Sequence, residues 1–135
     1  METKEFQTEV NEAGELFADT AIDLLADLHT AQNNNDDDAE DEARRAIDEY
    51  PLSVQVRSGW YNPSDGPEKP MEFEILLGTG GPASRIIGEL DDYAQPDSAR
   101  FEFQDWFKPW TAARNLSEEQ NAAILEFAQQ FYFGD

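Results

Sequence analysis

The sequence predicts an α+β fold in one domain, residues 1–135: two amino-terminal helices, a four-stranded antiparallel meander, and a carboxy-terminal helix on the meander's apolar face. Three observations predict it. Apolar residues recur at helical spacing through residues 1–50, the period changes to two over residues 51–110, and residues 111–135 hold a capping sequence followed by helical spacing again.

The first helix is expected from Met1 to about Thr30. At 100° per residue, Glu2, Glu5, Glu9, Glu12, Glu15, Asp19, Asp23 and Asp27 fall within an arc of about 140°, and Phe6, Val10, Phe17, Leu24 and Leu28 fall on the other side. The result is a carboxylate ridge roughly 37 Å long, with an acid about every 5 Å, backed by a core-facing stripe. An ordinary amphipathic helix also has a charged outer face. This one departs from the ordinary case because neighbours along the ridge are like-charged at i,i+3 or i,i+4, each pair costing roughly 0.2–0.5 kcal/mol at low salt. Lys4 is the only base before Arg44. Asp23 and Asp27 also lie near the helix carboxy terminus, where the macrodipole disfavours anions.

The polar run Ala31–Asp38 reads as a loop and cap, and a second helix is expected over Asp38–Tyr50, with Ala39, Ala43, Ala46, Ile47 and Tyr50 inward and Pro51 as its stop. Asp36, Asp37, Asp38, Glu40, Asp41 and Glu42 cluster at its start, where the dipole favours them. Capping accounts for one or two of the six. A calcium loop does not fit: begun at Asp36, the glycine position is Asp41 and the twelfth position is Ile47, and begun at Asn34 they are Ala39 and Arg45.

From Leu52, Val54 and Val56 alternate with Gln55 and Arg57; Met71, Phe73, Ile75 and Leu77 with Glu72 and Glu74; Phe101 and Phe103 with Arg100, Glu102 and Gln104. Ala83–Asp91 supplies a further strand, and Gly78–Pro82, Asn62–Pro70 and Gln95–Asp97 are turns and loops. On the polar face Arg57, Arg85 and Arg100 stand among Glu72, Glu74, Glu89 and Glu102, so cross-strand pairing is expected there. Ser117–Gln120 is a capping box, and Ile124, Phe127, Ala128 and Phe131 follow at helical spacing.

Composition narrows the function. With 30 acids against 9 bases the formal charge is −21, which repels nucleic acid and anionic membrane and attracts basic protein surfaces. The charge is uneven: residues 1–50 hold 16 acids and 3 bases, 51–110 hold 10 and 5, and 111–135 hold 4 and 1. A high-salt proteome would acidify the sheet as strongly as the helices, and the sheet is nearer to balance. There is no cysteine, no run long enough to span a membrane and no secretory leader pattern, so a cytoplasmic protein is expected, without disulfides or thiolate metal sites. His29 is the sole histidine, which leaves no nucleophile–base pair and no three-histidine site. No enzyme activity and no cofactor is expected. The glycine tract Gly78–Pro82 lacks the Lys-Ser/Thr pair of a phosphate loop and reads as a hairpin turn. The aromatics Trp60, Tyr61, Trp106, Phe107 and Trp110 sit at two strand ends that a meander places at opposite edges, and core or edge packing is the expected role.

The segments Glu74–Ala83, Arg85–Asp91, Gln104–Trp106, Pro109–Thr111 and Gln130–Asp135 together resemble a family of small uncharacterised acidic proteins carried by bacteriophages and mobile elements. The resemblance covers the carboxy-terminal part of the chain and brings no catalytic residues with it. It implies a mobile-element setting, in which small acidic proteins counter host defence by imitating DNA, as anti-CRISPR and anti-restriction proteins do. Joined to the ridge, it implies a non-catalytic inhibitor in the host cytoplasm that occupies the nucleic-acid-binding groove of a CRISPR effector subunit or other defence nuclease. B-DNA presents one phosphate per 3.4 Å of each strand, and a comparable row of carboxylates can meet the same Lys and Arg side chains. The partner-binding residues expected on this basis are Glu5, Glu9, Glu12, Asp19, Asp23 and Asp27, then Asp36, Asp37, Asp38, Glu40, Asp41 and Glu42. From a different class comes an acidic adaptor or regulatory subunit that binds a protein through its sheet or aromatic edge. Neither binds nucleic acid directly or inserts in a membrane.

Overall fold

In the computed structural model, described over residues 2–66, 68–79 and 82–134 and for residues 2–4 in backbone only, the predicted α+β architecture is present. Helix α1 spans Glu2–Asn33 and α2 spans Asp37–Glu49; strands β1 (Ser53–Arg57), β2 (Glu72–Gly78), β3 (Ala83–Glu89), β4 (Arg100–Gln104) and β5 (Thr111–Ala112) follow, then α3 (Glu118–Ala128). The sheet is an antiparallel meander in the order β1-β2-β3-β4-β5. Its fifth strand, two residues long, was not expected, because so short a run carries no alternation to read. The centre of the predicted turn at Gly78–Pro82, Gly80 and Gly81, lies outside the described residues.

Between α1 and α2 the chain turns through Asn35 at φ 52°, the left-handed conformation that Asn tolerates. The Asn35 amide donates to the Gln32 carbonyl and the Asp36 amide to the Ala31 carbonyl, closing the end of α1 in a Schellman arrangement. Asp36 then caps α2 by accepting from the Ala39 amide at 3.1 Å. One residue thus ends one helix and starts the next, which fixes the two acidic helices side by side. At the other end of the chain Ser117 and Gln120 form the expected capping box of α3.

The core lies between the helices and one face of the sheet, with Val10, Phe17, Leu25 and Leu28 from α1, Ile47 from α2, Phe73, Ile75, Ile86, Phe101 and Phe103 from the strands, and Ile124 and Phe127 from α3. Phe17 is its junction, stacked on Phe101 at 5.9 Å and edge-on to Phe127 at 5.2 Å. At Gly14 the helix comes so close to the chain after β5 that an added Cβ would stand 2.6 Å from the Ala113 Cβ. Two expectations of burial are corrected. Ala46 of the second helix is exposed, and so are Val54 and Val56, although both valines lie on the apolar sheet face; Tyr50, at the end of α2, does turn its ring onto Phe17 and Phe127 as expected but stays 40% exposed. The reason is coverage: α1 rests on β4 and β5 and α3 on β4, with α2 packed on α1, and β1, at the far edge, projects beyond them.

Candidate functional site

The polar face of the sheet pairs three of its four expected acids; Glu89, opposite Glu72 in the register, forms no ion pair among the described residues. Arg85 donates to Glu74 at 2.7 Å and to Glu102 at 2.9 and 2.7 Å, Arg100 donates to the other Glu102 oxygen at 3.0 Å, and Arg57 forks onto Glu72 at 2.8 and 3.1 Å. The Trp110 ring lies 4.2 Å from the Arg85 guanidinium carbon. Hydrogen bonds from Arg57 hold the Glu72 carboxyl below the usual carboxylate range. These carboxylates are satisfied within the fold.

On α1 the opposite holds. Glu5, Glu9, Glu12, Glu15, Asp19, Asp23 and Asp27 are all exposed, and none enters an ion pair among the described residues. The side chain of Glu2 lies outside the described residues. Asp19 is the one ridge acid with a described side-chain hydrogen bond, from Gln120 Nε2 at 3.3 Å, at the amino terminus of α3 where an anion is favoured.

The second cluster joins the ridge at one end. Asp27 of α1 and Asp36 and Glu42 of the α2 segment line a single groove of about 540 Å³ between the helices, floored by Ala31, Ala39 and Ala43. Asp37, Asp38, Asp41 and Glu42 are exposed and form no ion pair among the described residues; Glu40 is half-buried and accepts from Arg44 at 3.3 Å. Of the twelve acids expected to bind a partner, three therefore have intramolecular duties: Asp19, Asp36 and Glu40. The other nine present their carboxylates to solvent on two helices locked together by the Asn35 turn.

Three apolar features of this surface escaped the sequence reading. Leu16 stands within the ridge, 72% exposed, at the rim of a recess of about 360 Å³ lined by Ala13, Phe17, Thr20, Tyr50 and Leu77. Its helical angle already put it among the acids, and that was the legible signal. At the opposite end of the ridge Glu5 and Glu9 line a hollow of about 290 Å³ with Asp105, Trp106 and Lys108. The packing role expected of the aromatics is corrected here: Trp60 and Phe107 are fully exposed and Trp106 largely so, while Trp110 does pack, over Arg85. Phe107, fully exposed, holds φ 62° in the β4–β5 connection, a conformation that no periodicity announces.

No protein-family model, no curated protein and no solved structure matches this chain, and a mobile-element family is not identified by these comparisons. Among the described residues no group of His, Asp and Glu is arranged to hold a metal ion, and no helix is long and apolar enough to cross a membrane.

Proposed function

We propose that this protein is a non-catalytic inhibitor that occupies the nucleic-acid-binding groove of a host defence nucleoprotein or nuclease, with the acidic face of α1 and α2 in place of DNA phosphates. The observation that carries this reading is the contrast between two sets of carboxylates in one small fold: Glu72, Glu74 and Glu102 on the sheet are held by arginines, and those on the ridge form no ion pair among the described residues, Lys108 being the one cation that shares a hollow with them. A fold that pairs Arg57, Arg85 and Arg100 on its sheet has the means to neutralise acids, yet it leaves about 33 Å of helix, from Glu5 to Asp27, without a base. Such a surface is repelled by itself and relieved by a basic partner. Leu16 and Trp106, at the middle and the amino-terminal end of the ridge, would add apolar contacts that DNA does not supply.

Charge reversal tests the proposal. Glu9→Lys, Glu12→Lys and Asp23→Lys together avoid the three acids with structural duties and should weaken partner binding by roughly 10²- to 10³-fold, chiefly through the on-rate. Glu89→Lys, exposed at the end of β3, should change it little. Partners are recovered by capture from host lysate and identified by mass spectrometry. Unchanged affinity in the triple variant would remove the ridge from the binding surface. A second reading has its own support: the exposed Trp106–Phe107 pair suits an adaptor that docks through an aromatic edge, and it predicts that Trp106→Ala abolishes binding while the triple reversal leaves it intact.

A further inference from the structure

Six of the twelve large apolar side chains exposed among the described residues belong to one edge of the molecule: Leu52, Val54, Val56, Trp60, Tyr61 and Met71. They flank or form β1, the open edge of the sheet. Alternate backbone N–H and C=O groups of an edge strand point away from the sheet and wait for a partner, and folded proteins ordinarily guard such edges with proline, a bulge, inward-pointing charge or a covering helix. β1 has none of these. Pro51 precedes it, the irregularity of the sheet lies on the β2–β3 side, both inward positions are valine, and α1 and α3 rest toward the opposite edge. We propose that β1 is a self-association surface, and that two copies of this chain join β1 to β1 as antiparallel neighbours in a continuous ten-stranded sheet.

Charge and register choose a second copy as the occupant. On a chain of charge −21, two copies meet with least repulsion where unpaired carboxylates are fewest; residues 50–64, which contain β1, are the longest stretch without an acid, and the acids beside it on β2, Glu72 and Glu74, are held by Arg57 and Arg85. That stretch holds a single charge, Arg57, so it offers nothing to the basic partner that the ridge would attract. The strand reads Ser53-Val54-Gln55-Val56-Arg57, and antiparallel pairing centred on Gln55 uses all five residues. It sets Val54 against the second copy's Val56 and Val56 against its Val54 on the apolar face. On the polar face it sets Gln55 against Gln55, and Ser53 against Arg57, so no like charges are opposed. The valines, 36% and 44% exposed in the single chain, would be covered from the side the helices do not reach.

The two interactions of this molecule then respond to salt in opposite directions. Partner capture by the ridge weakens as salt rises, whereas self-association strengthens as repulsion between the two acidic bodies is screened; the Debye length falls from about 10 Å at 0.1 M to about 3 Å at 1 M. Sedimentation equilibrium of the full chain should show a dimer fraction that grows with protein concentration and with salt. Val54→Lys should abolish it, with an unchanged circular dichroism spectrum because the position is exposed, and Glu9→Lys should retain it. The chain has no cysteine, so single introduced ones report the register. Gln55→Cys should cross-link to itself on mild oxidation, because directly opposed Cβ atoms lie about 5 Å apart. Ser53→Cys should not, since the two copies of that position stand roughly 13 Å apart along the strands. A monomer at every concentration in 1 M salt, a dimer that survives Val54→Lys, or cross-linking of Ser53→Cys in preference to Gln55→Cys would each overturn the proposal.

Discussion

At the scale of single residues, the sharpest evidence of what α1 is for comes from Asp23 and Asp27. They sit in its last third with no base in the final turn, against both the macrodipole and their acidic neighbours. Replacing both with Asn should therefore raise the melting temperature slightly at low salt, and the gain should shrink toward 1 M as screening removes the repulsion. A loss of stability in thermal melts would mean that these carboxylates are paired in the fold. Arg85 is the opposite kind of residue. Its guanidinium joins Glu74 and Glu102 under Trp110, and the Glu102 side chain is only 10% exposed. Arg85→Met would leave that carboxylate buried with only the more exposed Arg100 beside it, and the cost should be on the order of 3 kcal/mol in a denaturant titration. Both residues are charged, and the fold treats one as a structural member and leaves the other pair to the solvent.

At the scale of elements, the close approach of α1 to the β5 segment decides between two effects of known size. Ala in place of Gly14 would gain up to about 1 kcal/mol of helix propensity, but its Cβ would meet Ala113 Cβ at 2.6 Å and Phe101 at 3.3 Å. Ala113 is short and cannot rotate away, and overpacking of this kind costs roughly 1–3 kcal/mol. Gly14→Ala should lower stability despite the better helix former, which equilibrium unfolding would register as a lower midpoint. How far the elements could be read from the sequence follows the same division between local and tertiary causes. Periodicity and capping are local, so α1, α2, four strands and the Ser117–Gln120 box were legible, and so was the pairing of Glu72, Glu74 and Glu102 on the polar sheet face, though not the unpaired Glu89. Coverage is tertiary. Val54 and Val56 alternate as buried residues do and still face solvent, because nothing in their own segment records that α1 settles on β4 and β5 and α3 on β4. The exposed Trp106–Phe107 corner was likewise illegible, since no periodicity announces the positive φ at Phe107. The acidic ridge was legible because a helix converts sequence spacing directly into a face. Its continuation from Asp27 onto Asp36 and Glu42 was not, because it is made by the turn at Asn35.

At the scale of the whole molecule, charge is segregated. Acidic helices occupy one part of the fold, arginine-paired acids the polar sheet face, and β1, a strand with no acid of its own, forms an apolar edge. Segregation of this kind raises the field at the ridge above what a net charge of −21 spread evenly would give, and it should speed encounter with a basic groove. Binding through that field should weaken steeply between about 50 and 200 mM salt, as protein–DNA binding does. The most direct test of the central claim is a competition measurement: the chain bound to the partner it captures is titrated with duplex DNA, and the fraction still bound is followed. If the ridge stands in for DNA, the two ligands exclude one another, and DNA displaces the chain completely with an apparent affinity that falls as the chain's concentration rises. A ternary complex of partner, DNA and this protein, with the affinity of each unchanged by the other, would contradict it.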